Sequence, residues 1–214
     1  MDSGKTNEAL MFYFAGLVHG DGHVGEKYFV VWLKIHDGYE LLFDFSNMLN
    51  ARFFVPTYRY SLMSAIRGKT ADFLKYAKTA DYVAGLDDDN FIHFLRGLID
   101  ADGCFSITKA RKRDKIYLRH QILITSGNIE VLRIIQSKLK RFEINSVICK
   151  SKPGSFNLYI VNSDVKKIID LLYKNRGPCL GRKFARAWAV FLSAVSPNNR
   201  ISDLVVKRFL RYGF

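Results

Sequence analysis

Cysteine, proline and long apolar runs are all scarce in this sequence. Its 214 residues include 3 cysteines, no CxxC pair and 4 prolines, which excludes a disulfide framework and offers no zinc-ligand spacing. No apolar run approaches the roughly 20 residues needed to cross a bilayer. The N-terminal MDSGKTNEAL lacks the basic and apolar regions of a secretory signal. We therefore expect a reduced intracellular location, in the cytoplasm or an organelle, and no membrane partner.

Acidic residues are also in the minority, but only in one part of the chain. The sequence carries 33 Lys and Arg against 20 Asp and Glu, a net charge of +13. Residues 1–89 hold 9 basic and 12 acidic side chains, whereas residues 90–214 hold 24 and 8. In the second part, basic residues are interleaved with aromatic ones, as in KARKRDKIYLRH (109–120). Such a surface is typical of proteins that contact nucleic-acid phosphates.

Two stretches of the chain repeat each other without a gap. FYFAGLVHGDGHVG (12–25) overlays on the stretch that includes FIHFLRGLIDADGCFSI (91–107), and the matching Asp21 and Asp102 lie 81 residues apart. A repeat at this distance indicates that a whole structural unit is duplicated. The predicted domains are a first unit over 7–86, a second over 87–195, and a basic, partly apolar tail over 196–214.

Hydrophobic periodicity predicts a similar order of elements in both units. In the first unit it predicts helices over 7–21, 38–50 and 71–80 and strands over 29–35, 51–56 and 59–66. In the second it predicts helices over 91–102, 128–142, 164–175 and 184–194 and strands over 104–109, 116–125, 145–151 and 155–162. Acidic residues in the linker 83–90 favour the start of the next helix, which Asp89 or Asn90 is expected to cap. The pattern is that of a mixed α/β fold.

Small residues mark one face of each repeated helix. Gly16 and Gly20 are four residues apart, as are Gly97 and Ala101, so each pair lies on one helix face. Small residues at this spacing let two helix backbones approach closely. We therefore expect the two helices to cross at these four positions.

Each of these helices ends in an aspartate, Asp21 or Asp102. The C-terminal end of a helix carries partial negative charge, so an aspartate there is unfavourable, and two neighbouring carboxylates also repel each other. A divalent cation removes both problems. Mg²⁺ prefers carboxylate oxygens and completes its coordination with water and substrate phosphate. The paired acids therefore predict a metal site that faces a phosphate.

These motifs resemble those of a known family. LRGLIDADG (95–103) resembles the signature of the LAGLIDADG homing endonucleases, and FAGLVHGDG (14–22) resembles a more diverged second copy. Two copies in one chain are similar to the monomeric, two-motif members. The resemblance implies two αββαββα units related by a pseudo-twofold axis, with the motif helices paired at a central interface. It also implies two antiparallel, saddle-shaped sheets that bind double-stranded DNA in the major groove.

The resemblance also implies where metal binds. In the family, the last acid of each motif binds metal at a scissile phosphate, which assigns Asp21 and Asp102 as catalytic ligands and places Gly20 and Ala101 at the metal site. The expected ion is Mg²⁺, and Mn²⁺ or Ca²⁺ is expected to substitute for it in binding.

Other active-site residues follow from the same resemblance. PCLGRKFARA (178–187) resembles the segment that carries the family's basic residue, which points to Lys183; a plain phosphate contact is the alternative reading. The matching stretch of the first unit, YVAGLDDDN (82–90), has no lysine. His19 occupies the first-motif position of Asp100 and is expected to pack or hydrogen-bond. Further candidates for active-site support are His36, Ser126 and Arg182.

The implied activity is metal-dependent double-strand cleavage of DNA at a long recognition site, as in intron homing. Intact acids in both motifs favour this activity over the alternatives, an intron RNA maturase or a DNA-binding regulator of the same fold. The DNA contacts are assigned to basic residues on strands and turns: Lys27, Lys34, Arg52, Arg59, Arg67, Lys69, Lys109, Arg111, Lys112, Arg113, Lys115, Arg119, Lys150 and Lys152. The acidic balance of residues 1–89 predicts unequal contact with the two halves of the site.

Overall fold

A computed structural model gives the fold and describes residues 3–58, 61–112, 115–174 and 177–195. Arg59 and Arg113, two of the predicted DNA contacts, and the predicted tail over 196–214 lie outside the described residues. None of the helices in the described ranges is both long enough and apolar enough to span a membrane.

Helices and strands alternate along the described chain. The helices are α1 (Ser3–Asp21), α2 (Ile35–Met48), α3 (Asp72–Lys75), α4 (Ala80–Gly85), α5 (Asp88–Asp102), α6 (Ile129–Arg141), α7 (Ser163–Tyr173) and α8 (Gly181–Val195). The strands are β1 (Gly22–Val24), β2 (Tyr28–Lys34), β3 (Arg52–Phe54), β4 (Thr57–Tyr58), β5 (Ser61–Lys69), β6 (Gly103–Lys112), β7 (Lys115–Ser126), β8 (Val147–Lys152) and β9 (Ser155–Val161).

The chain forms two compact units, each with one antiparallel sheet. The first unit contains the chain up to Asp102 and the segment that ends at Gly181; the second begins at Gly103 and resumes at Arg182. Strand order is β1-β2-β5-β3 in the first unit, where β4 also pairs with β5, and β6-β7-β9-β8 in the second. The predicted mixed α/β fold with two antiparallel sheets is confirmed.

Compactness and sequence repetition divide the chain differently. The repeat places α5 at the start of the second unit, whereas α5 packs along α1 and is grouped with the first unit. The predicted ranges 7–86 and 87–195 follow the sequence repeat, and they stay a prediction.

Alternating polarity forms the first sheet and its core. In β2, Phe29, Val31 and Leu33 are buried, because successive strand residues point to opposite faces. The buried face meets aromatic side chains of the helices. The Phe14 ring lies 5.7 Å from Phe29 and 4.3 Å from Phe45, centroid to centroid. This core supports α1 beneath the sheet.

The region between the first sheet and α5 differs from its prediction. The helix predicted over 71–80 is a single turn, α3, and a second short helix, α4, begins at Ala80. The Thr79 hydroxyl accepts a hydrogen bond from the Tyr82 backbone N–H, 3.2 Å away, so this threonine starts a new helix instead of continuing the old one.

Two further details of the prediction need correction. The predicted cap of α5 at Asp89 or Asn90 is wrong, because Asp87 Oδ1 accepts from the Asn90 backbone N–H at 2.8 Å. Strand β1 was not predicted, since three residues are too short for a period-two pattern to be visible. Its pairing with β2 sets His23 opposite Val30.

Candidate functional site

The first and second motif helices, α1 and α5, touch at their small residues. A β-carbon added to Gly16 would lie 1.9 Å from the Phe94 carbonyl oxygen, and one added to Gly97 would lie 1.9 Å from the Tyr13 carbonyl oxygen. At both positions the neighbouring atoms are backbone. The two helix backbones are therefore in direct contact, which only glycine allows at these points.

The contact continues to the ends of the two helices. A β-carbon on Gly20 would lie 2.4 Å from Ala101 Cβ and 3.0 Å from Asp102 Oδ2. Asp102, the last residue of α5, thus places its carboxylate beside the residue that precedes Asp21. Both aspartates are exposed. Gly20 and Ala101 are half-buried at this contact.

The donor atoms at these helix ends suit a hard cation. The described residues contain no group of three or more His, Cys, Asp or Glu side chains arranged to hold a metal. The protein donors on offer are therefore the two exposed carboxylates and backbone carbonyls, all of them oxygen. An ion such as Mg²⁺, which keeps several waters and binds substrate phosphate, fits this donor set.

Lys78, which the sequence reading missed, lies within electrostatic reach of both aspartates. Burial lowers the pKa of its ammonium, and the negative charges of Asp102 and Asp21 oppose that shift. The side chain itself reaches the surface, in the turn between α3 and α4. The sequence predicted one continuous helix through this region, so Lys78 was not recognised as part of a turn. The capping residue Thr79, directly after Lys78, was the signal for a turn here.

Lys183, the lysine predicted from the resemblance, lies in the first turns of α8 and is only 5% exposed. Its Nζ donates to the Gly103 carbonyl oxygen, and Gly103 directly follows Asp102 in the chain. The neighbouring Arg182 is exposed. A buried ammonium bound to a backbone carbonyl has a fixed position, and its catalytic role stays a prediction.

The two matching motif positions, Asp100 and His19, hold hydrogen bonds inside the protein. Asp100 is 1% exposed, and its Oδ2 accepts from the Tyr13 hydroxyl at 2.8 Å and from the Leu180 backbone N–H at 2.7 Å. His19 Nδ1 lies 2.8 Å from the Ala77 carbonyl oxygen. Burial is the main cause that lowers the pKa of His19. Neither side chain has the open position of a metal ligand.

The remaining candidates for active-site support have local partners. His36 is exposed in the first turn of α2, with Nε2 3.7 Å from Asp37 Oδ2. Ser126 ends β7, where its hydroxyl accepts from the Asn128 backbone N–H at 3.1 Å. The Ser126 hydrogen bond explains the turn before α6 without reference to catalysis. The supporting role of His36 and Ser126 stays a prediction.

The outward face of the first sheet combines basic and aromatic side chains. Arg52 and Arg67 are directly opposed on β3 and β5, and both are exposed. Like charges at opposed positions repel, so a bound anion would stabilise this pair. The Arg67 guanidinium also lies 4.3 Å from the centroid of the Tyr28 ring, a cation–π contact. The other predicted basic contacts of this unit that the structure describes are also exposed: Lys27, Lys34 and Lys69.

The outward face of the second sheet is mostly neutral and polar. Arg119, opposite Thr108, is a predicted basic contact on this face. Lys109 and Arg111 share the opposite strand face with Ile107, because side chains alternate along β6. They are exposed near the end of the β6–β7 hairpin, where Lys112 and Lys115 also pair.

In β8, Lys150 pairs with Phe156 and Lys152 with Ser155. Both lysines are exposed. They lie at the end of this strand beside an irregularity in its pairing, and their contact with DNA stays a prediction.

Hydrogen-bonding residues on this second face were also missed. Thr125 Oγ1 lies 3.0 Å from Asn157 Oδ1, and Asn157 Nδ2 lies 3.1 Å from the Tyr159 hydroxyl. Gln121 and Ser106 are opposed on the same face. Amide and hydroxyl groups can read base edges in the major groove, which phosphate-directed charges do not. Only basic residues were selected from the sequence, so these residues were missed, although the alternating pattern of β7 would have placed Gln121 and Thr125 on one face.

Comparisons with known proteins agree with this architecture. The family model described as LAGLIDADG endonuclease matches residues 95–187. The fold is similar to that of I-SmaMI bound to uncleavable DNA, at 12% identity, 95% coverage of this chain, 99% of that chain and a TM-score of 0.68. It is similar to variants of the homing endonuclease I-DmoI, at 18% identity, 84% and 97% coverage and a TM-score of 0.63. I-AabMI bound to uncleaved DNA gives 16% identity, 92% coverage of both chains and a TM-score of 0.60.

No curated protein sequence matches the chain. The fold is nevertheless that of the LAGLIDADG meganucleases, with a family signature in the second motif. Residues 95–187 match the LAGLIDADG endonuclease family, and the resemblance found in the sequence is confirmed.

Proposed function

We propose that this protein is a site-specific DNA endonuclease that cleaves both strands of a duplex with the help of divalent metal. The observation that carries this proposal is the placement of Asp21 and Asp102. Both carboxylates are exposed at the touching ends of α1 and α5. Their negative charges also favour the protonated form of Lys78 and so oppose the lowering of its pKa by burial. Two exposed acids with an ammonium within their electrostatic reach are suited to a phosphodiester.

The chemistry of the site divides among these residues. Asp21 and Asp102 would hold the ion with their carboxylate oxygens, together with backbone oxygens at Gly20 and Ala101. A bound divalent ion supplies Lewis-acid stabilisation to the attacking and leaving oxygens. Lys78 would offset the charge that develops on the phosphorus oxygens, because a fixed ammonium is most effective where water is partly excluded.

Mg²⁺ is the ion that we propose. I-DmoI has been solved with DNA and Ca, and a variant of it with target DNA and Mn. The oxygen-only donor set of this chain suits all three ions, and Mg²⁺ is the one that best keeps water in its coordination sphere.

DNA binding is proposed for the outward faces of both sheets. The opposed Arg52 and Arg67 would contact phosphates, which position the duplex, whereas Gln121 would contact base edges. We propose that the chain binds double-stranded DNA as a monomer, since both motifs are present in it. Intron homing, an intracellular location and a role for Lys183 also stay predictions.

The test is a comparison of binding and cleavage in two single substitutions. We expect Asp21→Asn and Asp102→Asn to retain DNA affinity measured in EDTA and to lose double-strand cleavage in Mg²⁺. The substrate is a plasmid library with randomised inserts, from which the wild type first selects its cleaved site. Asp44→Asn, an exposed acid on α2, is the matched control and should cut normally.

Two results would contradict the proposal. One is double-strand cutting by Asp102→Asn at the rate of the wild type. The other is a wild-type protein that binds DNA or RNA but cuts no insert in Mg²⁺ or Mn²⁺, which would favour a regulator or a maturase.

A further inference from the structure

His19 is fixed by two contacts at the end of α1. Its Nδ1 lies 2.8 Å from the Ala77 carbonyl oxygen. A carbonyl oxygen only accepts hydrogen bonds, so Nδ1 carries the hydrogen and His19 is the donor. The imidazole also meets the Phe94 ring edge-on, with 5.6 Å between centroids. The ring therefore has a defined orientation as well as a defined partner.

The partner of His19 belongs to the turn that presents Lys78. Ala77 is fully buried and immediately precedes Lys78. Its backbone N–H donates to the Leu74 carbonyl at 3.1 Å, and the Thr79 N–H donates to the Tyr76 carbonyl at 2.8 Å. These two bonds shape the turn, and the bond from His19 ties it to α1.

We propose that His19 is a positioning residue for Lys78. Through the Ala77 carbonyl it keeps the turn at a set distance from α1, so that the Lys78 ammonium stays within electrostatic reach of Asp21 and Asp102. This role rests on the proposed nuclease function, in which Lys78 faces the scissile phosphate.

The second motif has a comparable hydrogen bond, in which the motif residue is the acceptor instead of the donor. Asp100, which matches His19 in the repeat, accepts from the Leu180 backbone N–H at 2.7 Å. Leu180 lies three residues before Lys183 in the chain. In each motif, then, the residue two places before the terminal acid fastens the segment that leads to a lysine. His19 does so as a donor, whereas Asp100 does so as an acceptor.

The opposite direction of the two bonds gives a sharp consequence at position 19. Asparagine offers an amide N–H near the place of Nδ1–H and can still donate to the Ala77 carbonyl. Aspartate would make the first motif more similar to the second, but an ionised carboxylate has no hydrogen to donate. It would instead face a carbonyl oxygen. His19→Asp, which makes the two motifs more similar, should therefore disrupt the contact with Ala77 more than His19→Asn does.

The experiment combines hydrogen exchange with strand-resolved cleavage in the full chain. Exchange is measured at the backbone amides of residues 76–79 in the wild type and in His19→Asn, His19→Ala and His19→Asp. We expect His19→Ala and His19→Asp to accelerate exchange there by about tenfold, the equivalent of one lost hydrogen bond, and His19→Asn to stay near the wild type. Thermal unfolding confirms that each variant is folded.

Cleavage is then followed on a duplex with a different label on each strand. We expect Lys78→Met to slow one strand more than the other, and His19→Ala to slow that same strand by about tenfold. The double variant should be no slower than Lys78→Met alone, because both changes act on one ammonium. His19→Asn should restore most of the rate.

The outcomes separate this role from the proposed function. A wild type that cuts no duplex overturns both. A wild type that cuts, with a His19→Ala variant that slows the two strands equally or adds fully to Lys78→Met, overturns the role of His19 alone. Unchanged exchange at residues 76–79 in His19→Ala also overturns it.

Discussion

Replacing Gly97 by alanine puts the contact between α1 and α5 to a quantitative test. The new β-carbon would lie 1.9 Å from the Tyr13 carbonyl oxygen, 2.8 Å from the Leu17 nitrogen and 2.9 Å from the Tyr13 carbonyl carbon. All three atoms are backbone, so no side-chain rotation relieves the overlap. The helices would have to separate by roughly 1.5 Å to restore ordinary contact, because interiors are close-packed.

The cost follows from that displacement. Overpacking in a core typically costs about 1–3 kcal/mol, and a clash between two backbones belongs at the upper end of that range. Gly85→Ala is the matched control, since no atom lies within 4 Å of its β-carbon position at the end of α4. We expect Gly97→Ala to lower the free energy of unfolding by about 2–3 kcal/mol and Gly85→Ala to leave it unchanged or slightly raised.

Urea denaturation followed by circular dichroism measures both variants against the wild type. The slope with denaturant should stay constant, so that a change in midpoint reports stability. If Gly97→Ala unfolds within about 0.5 kcal/mol of the wild type, the two backbones do not touch at this point, and the placement of the helix ends loses its support.

Two further outcomes are expected. Asp100→Leu should lower the free energy of unfolding by about 2–4 kcal/mol in urea denaturation, because the Tyr13 hydroxyl and the Leu180 N–H would lose the buried carboxylate oxygen to which they donate; stability equal to the wild type would show that these bonds are not made. Arg67→Ala should reduce by about one the slope of log affinity for DNA against log salt concentration, measured by fluorescence anisotropy, whereas Lys167→Ala on α7 should not. Equal slopes in the two variants would show that Arg67 does not contact phosphate.

The parts of the fold that the sequence predicted are those that depend on local pattern. Apolar residues at helical or alternating spacing located α2, β2 and β9 to within a few residues, since burial of one face imposes that spacing. The internal repeat predicted that α1 and α5 would meet. Small residues four apart on an apolar helix indicate a close helix–helix contact, because they let the two backbones approach.

The parts that it did not predict depend on competition or on distance. Lys78 was missed because the helical propensity of ADFLKYAKTA (71–80) competed with the capping preference of Thr79, and capping prevailed. The bond between His19 and Ala77 spans 58 residues of chain, and no local pattern signals such a contact. The sequence could predict that His19 forms a hydrogen bond, but only the structure identifies Ala77 as its partner.

The net charge of each unit did not indicate which charged side chains lie on the outward face of its sheet. The chain up to residue 89 is acidic on balance, yet the outward face of its sheet presents the opposed Arg52 and Arg67. The acids Glu40 and Asp44 lie instead on the exposed side of α2.

The basic second unit shows the reverse arrangement. Its outward face is largely amide and hydroxyl, with Arg119 among the described side chains, while Lys109 and Arg111 share the strand face of the buried Ile107. The electrostatic attraction to DNA depends on the charges that face it rather than on the net charge of a unit. We therefore expect the two units to differ in the type of contact they make, not only in its strength. In the proposed function, the first sheet would mainly contact phosphates, and the second would mainly hydrogen-bond to bases. Salt should then weaken the contacts of the first unit more than those of the second, although the second carries the larger positive charge.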